Sequence, residues 1–164
     1  MQVWKGIGRF ILKNPQYRIL FGAVSISNRY RPLSRHLMVS FLRFHHLDSL
    51  SGRVRARTPF HPTGEGDFER QTIELVGNDL DELSTIISDM ESNGAGIPTL
   101  LKHYLKWGGR ILGFNVDSSF SHVIDALILV DLTQTDAKIL ERFMGKDQAA
   151  AYLAFHQETE LVAS

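Results

Sequence analysis

The run Ala126-Leu127-Ile128-Leu129-Val130 constrains this chain most. It is apolar at every position and bounded by polar residues, which reads as a strand over 124–132. It is far too short for a membrane-spanning helix, which needs about 20 apolar residues. A second segment, 17–25, is apolar at nearly every position, as expected of a strand buried on both faces. Gly22 within it suggests a bulge or a close backbone approach. A third strand fits 110–116, close enough to 124–132 for an antiparallel pair. Strands need layers to cover them, and the helical patterns supply those.

Helical spacing places Val3, Ile7, Phe10 and Ile11 on one side of a first helix, ended by Asn14-Pro15. Pro32 opens a second, with Leu33, Leu37, Val39, Phe41 and Leu42, ending near 45–48. Asn78 or Asp79 can cap a third through Met90. Residues 98–107 form a fourth, closed by Gly108-Gly109. Thr135-Asp136 caps a fifth over 138–144, and a sixth covers 148–157. The expected fold is α/β, a mixed sheet with helices packed on it. Residues 49–68 read as an irregular loop, with two prolines, three glycines and three arginines at alternate positions. Three strands are few for a whole sheet.

The chain has 18 basic and 18 acidic side chains, but they are segregated. Residues 1–60 carry eleven bases and one acid, Asp48; the remainder carries seven bases and 17 acids. A part with a charge of +10 suggests an anionic partner. The absence of cysteine excludes a disulfide framework, a thiolate metal site and a cysteine nucleophile. Residues 1–12 are apolar only at intervals, interrupted by Lys5 and Arg9, unlike a secretory signal. A cytoplasmic setting is the expectation.

Several motifs invite chemistry and fail on spacing. His45-His46-Leu47-Asp48 could pair a base with its orienting carboxylate. The spacing matches neither His-x4-Asp nor His-His-x3-Asp-Gly, so a polar helix end is the simpler reading. Gly6-Ile7-Gly8-Arg9 resembles a phosphate loop, but Val3 stands where Gln or Arg is needed. No His-x3-His pair supports a metal site, and no Gly-x-Ser-x-Gly elbow supports a serine hydrolase. Tyr30 follows a strand and opens a helix, where a phenol could protonate a departing thiolate. Arg53, Arg55 and Arg57 could contact phosphate or carboxylate. They lack the interleaved aromatics of a nucleic-acid surface, and no nucleic-acid partner is expected.

Three stretches resemble one family. The first runs from Trp4-Lys5-Gly6-Ile7-Gly8-Arg9-Phe10 to Ser25-Ile26-Ser27-Asn28-Arg29-Tyr30. The second runs from Gly96-Ile97-Pro98 through Trp107-Gly108-Gly109-Arg110 to Asn115-Val116-Asp117. The third runs from Leu129-Val130-Asp131-Leu132-Thr133 to Met144-Gly145-Lys146. Together they resemble the C-terminal half of the hemolysin-like, ornithine-lipid-type N-acyltransferases of bacteria, a divergent GNAT branch sometimes fused to a glycerolipid acyltransferase domain.

The resemblance implies the later part of a GNAT-like sandwich, a single partial domain over 1–164. It implies transfer of an acyl or 3-hydroxyacyl chain from acyl carrier protein, or from acyl-CoA, to an amine such as ornithine, with no other cofactor. Tyr30 becomes the candidate acid, and Ser25 and Ser27 line the strand end. Lys102, Arg53, Arg55 and Arg57 become candidates for contact with the carrier protein or a headgroup. The family's general base and pyrophosphate loop lie upstream of the matching region, so little activity is expected of this chain alone. The rival expectation is a non-catalytic basic module that binds acyl carrier protein or the inner membrane surface. Pore formation, suggested by the family's label, finds no spanning segment and no alternating barrel strands.

Overall fold

The computed structural model describes residues 2–61 and 67–162. The fold is α/β, with helices packed on a three-stranded sheet. Its strands are β1 (Ile19–Ile26), β2 (Arg110–Asp117) and β3 (Val123–Asp131), in the order β1-β3-β2. Its helices are α1 (Gln2–Lys13), α2 (Pro32–His46), α3 (Asp67–Val76), α4 (Leu80–Met90), α5 (Thr99–Lys106), α6 (Ala137–Met144) and α7 (Lys146–Val162). The chain divides into two compact units, one of residues 1–20 and 130–164 and one of residues 21–129.

In the larger unit the sheet pattern follows from strand alternation. Along its part of β3, Ile124, Ala126 and Ile128 are buried, while the residues between them are only half-covered. β2 and β3 form the expected antiparallel hairpin, with an irregularity between Ile111 and Gly113. β1 is antiparallel too: Ser25 bonds Asp125, while Asn28 bonds the carbonyl of Ser121. Parallel pairing among the described residues is limited to a single bridge, Leu47 to Ile111, so the sheet proper is antiparallel rather than mixed. The outer edge of β2 is occupied by the backbone of residues 58–60, since Val116 N–H donates to the Thr58 carbonyl and Phe60 N–H to that of Phe114.

β1 departs from the expectation of burial on both faces. Val24 and Ile26 are buried, but Phe21 is 76% exposed, and Ala23 and Ser25 are exposed beside it. An edge strand has neighbours on one side only, so an apolar sequence does not guarantee cover. Gly22 does not mark a close approach, because a Cβ there would meet nothing within 4 Å.

α2 supplies most of the helical layer. Leu37, Met38, Val39, Phe41 and Leu42 are buried, and the helix packs against β2, α3 and α4. From α4 and α5 come Leu83, Ile87, Leu101 and Leu105. Asp79 caps α4 by accepting from Asp81 and Glu82 N–H at 2.9 and 3.0 Å. Gly108 and Gly109 close α5. Gly108 has φ +81°, and a Cβ on Gly109 would lie 2.5 Å from the Tyr104 carbonyl oxygen. Within 49–68, residues 49–53 form a 3-10 turn and α3 begins at Asp67, so the irregular part is shorter than expected.

In the smaller unit α6 packs between α1 and α7. Arg18 clamps Asp131 through two nitrogens, at 3.0 and 2.7 Å. The Tyr152 hydroxyl donates to the Tyr17 carbonyl at 3.0 Å. The Gly6-Ile7-Gly8-Arg9 stretch is helical, and Gly8 lets α1 approach Phe143, whose carbonyl oxygen lies 2.7 Å from where a Cβ would be.

Candidate functional site

The less covered face of the sheet in residues 21–129 is the strongest candidate. Antiparallel pairing brings together one polar row. The Ser25 hydroxyl of β1 donates to the Asp125 carboxylate of β3 at 2.6 Å. Asn115 of β2 stands opposite Asp125 in register, and its side-chain oxygen accepts from Thr58 N–H at 2.8 Å. Next to this row on the same face, two residues along each strand, lie Ala23, Leu127 and Gly113, and beyond them Phe21 and Leu129. Of these, Phe21 and Ala23 are exposed and the two leucines half-buried. The result is an apolar strip that ends at a carboxylate.

The chain leaves β1 through a turn held by polar contacts. Ser27 Oγ accepts from Arg29 N–H, and Asn28 reaches Ser121 at 2.7 Å. The Tyr30 hydroxyl donates to the Gly96 carbonyl at 2.7 Å. Burial, and then the negative charge of Glu91, push its pKa up, so the phenol stays protonated. Glu91 is a buried acid (8% exposed) whose carboxylate accepts from Arg31 N–H at 2.9 Å. The Ser34 hydroxyl and the Arg31 N–H and charge hold its carboxyl below the usual range, against the effect of burial. Glu91 therefore closes the N-terminus of α2, where Arg31 has no capping side chain of its own.

The expected site residues thus separate into different settings. Ser25 belongs to the polar row, and Ser27 and Tyr30 to the turn beyond it. Lys102 pairs with Asp81 of α4 at 3.2 Å, alongside Lys106 at 3.5 Å, and so joins α4 to α5. Arg53, Arg55 and Arg57 are exposed and make no hydrogen bond or ion pair among the described residues.

No family model, curated protein or solved structure matches the chain.

The His45-His46-Leu47-Asp48 cluster is a helix end. The Arg110 guanidinium donates to the carbonyls of His45 and Leu47 at 3.3 and 2.7 Å, and Asp48 caps the following turn. Burial, the Arg110 charge and His45 push the His46 pKa down to about 4. Among the described residues no group of three His, Asp or Glu could hold a metal. No described helix is long and apolar enough to cross a membrane.

Asp125 and Glu91 were not singled out in the sequence. Asp125 carries a faint signal, a lone acid beside the most apolar run of the chain. Glu91 follows a helix and precedes Ser92-Asn93-Gly94, which reads as an ordinary polar turn.

Proposed function

We propose that this chain is an acyltransferase-type protein of bacterial lipid metabolism, passing an acyl or 3-hydroxyacyl chain from acyl carrier protein to an amine such as ornithine. The observation that carries this reading is the exposed apolar strip ending at the Ser25–Asp125 pair. It suits a molecule with an acyl tail and a cationic amine at its head. The resemblance of the three sequence stretches points to the same class of reaction, with that family's general base upstream of the matching region; the role given to Asp125 rests on the sheet geometry alone.

In the proposed reaction Asp125 takes a proton from the ammonium group. The freed amine attacks the thioester carbonyl, the carbon–sulfur bond breaks, the nitrogen gives up its extra proton as the amide forms, and that proton passes through water to the departing thiolate. Ser25 holds the carboxylate in place by donating to it. Tyr30 acts as a positioning residue, because its proton is committed to Gly96.

The test is binding of N-acyl-ornithine, the proposed product, to the purified chain by calorimetry. Saturable binding is expected, weakened at least tenfold by Phe21→Glu, a change on an exposed position. Leu75→Glu, equally exposed on α3, should leave it unchanged. No binding, or an unaffected Phe21→Glu variant, sinks the reading. Where transfer from acyl carrier protein is measured directly, Asp125→Asn should slow it by about 10²–10⁴-fold, the usual loss on removing a general base.

A further inference from the structure

Residues 44–57 form a surface segment anchored at its middle to β2, where Asp48 N–H donates to the Ile111 carbonyl at 2.8 Å, with several of its side chains left exposed. Four large apolar side chains are exposed there, Phe44 at 64%, Leu47 at 39%, Leu50 at 42% and Val54 at 39%, the first three at three-residue spacing. Phe44 lies in the last turn of α2, Leu47 just past its end and Leu50 in the 3-10 turn of residues 49–53. Arg53, Arg55 and Arg57 follow, all exposed and without an ion pair among the described residues. Arg53 ends the 3-10 turn, Val54 after it is extended, and the three arginines fall within five residues of one another. The one acid of the segment, Asp48, accepts from Leu50 N–H at 2.8 Å and is tied into its own turn. Arg110 adds a further cation at the end of α2, where it donates to the carbonyls of His45 and Leu47.

Exposed apolar side chains with basic groups beside them have the composition of an interfacial membrane contact, and the charge selects the partner. We propose that residues 44–57 dock on the surface of an anionic bilayer. Phe44, Leu47 and Leu50 enter the interfacial region, and Arg53, Arg55 and Arg57 meet headgroup phosphates. A guanidinium offers a planar pair of donors that matches phosphate oxygens. Three apolar side chains are too few to hold a protein on a bilayer by insertion alone, so both components are required. Attachment is therefore peripheral, reversible and sensitive to salt. This segment shares no residue with the Ser25–Asp125 row, although Thr58, next to Arg57, bonds Asn115 of that row, and the inference does not depend on acyl transfer.

Flotation of the full chain with vesicles tests it, with no acyl donor or acceptor present. Binding is expected to vesicles of mixed phosphatidylcholine and phosphatidylglycerol, not to phosphatidylcholine alone, and to be lost in high salt. Changing Arg53, Arg55 and Arg57 together to Gln should weaken partition on the order of a hundredfold, and changing them to Lys should retain most of it. A Phe44→Trp variant should shift its emission to the blue on anionic vesicles and be quenched by brominated lipid. Circular dichroism and urea titration confirm that each variant is folded, and Asp125→Asn should float as the wild type does. The proposal is overturned if the wild-type chain ignores anionic vesicles, binds neutral ones equally, or keeps its affinity in the glutamine variant. Binding of an acidic protein such as acyl carrier protein through these arginines, without vesicle binding, equally overturns it.

Discussion

Glu91 shows how much one residue fixes. Its carboxylate meets the N-terminal end of α2 from a position 60 residues away in sequence, where the backbone N–H groups and the helix dipole favour negative charge. Beside it, Tyr30 ties the start of that helix to Gly96. Tyr30→Phe removes one neutral hydrogen bond and should cost about 0.5–1.5 kcal/mol, seen as a lower urea midpoint. If Tyr30 only positions the turn, transfer by the variant should keep its pH profile; a leaving-group acid would lose its limb of that profile. Glu91→Ala should lower the urea midpoint at neutral pH more than Glu91→Gln, which keeps an acceptor. The carboxyl is held below its ordinary pKa in the folded chain. Its contribution is therefore present above the ordinary carboxylate range and lost as pH falls through the folded value. The difference between wild type and Glu91→Gln should shrink over that same interval.

At the scale of elements, the junction of α5 and β2 is closed by tight backbone packing. Gly109 N–H donates to the Tyr104 carbonyl at 2.8 Å, and a Cβ would also lie 3.1 Å from a methyl group of Ile128. Backbone on one side and a packed β3 side chain on the other leave little room to yield. Gly109→Ala should cost about 1–3 kcal/mol, with a lower urea midpoint and an unchanged slope. This junction was legible, because Gly-Gly after an apolar helical run is a local signal. So were the three strands, the Asp79 and Asp136 caps and the proline at the start of α2, all set by neighbours within a few residues. α3 was not. Its sequence follows a Pro- and Gly-rich stretch, and only Ile73 and Val76 among its described side chains are buried. The Ser25–Asp125 row was hidden for a different reason. Its members lie 100 residues apart and meet only through strand order and register, which no local spacing encodes. Exposure of β1 was misjudged on the same ground, since an apolar strand reads alike at the centre and at the edge of a sheet.

At the scale of the whole molecule, acid should act on both compact units, through different groups. In residues 21–129 the sensitive groups include His45, His46, Asp81 and Glu91; in the smaller unit they include Asp131. Unfolded, His46 takes up a proton near 6.5, whereas in the folded chain it resists until about 4. Burial is the main cause, joined by the Arg110 charge and by His45. Between those values the unfolded chain binds more protons, so falling pH draws the equilibrium toward unfolding. Burial works against ionisation of Asp131 too, but Arg18 and Thr133 outweigh it and hold its carboxyl below the usual value. Its contribution is lost as pH falls through that folded value. Stability should therefore be level above about 6.5, decline toward 4 as His46 loses its advantage, and decline again as the carboxylates protonate. His46→Leu shrinks the first decline to the share of His45, whose pKa burial also lowers, and leaves the second. Urea titrations across this range, read by circular dichroism, separate the two. Hydrogen exchange of peptides from residues 21–129 should report the first decline, because His46 lies in that unit. Peptides from residues 2–20 and 130–162 should respond only when Asp131 is protonated. If His46→Leu tracks the wild type from 6.5 down to 4, burial of its ring is not what sets the acid sensitivity of the larger unit.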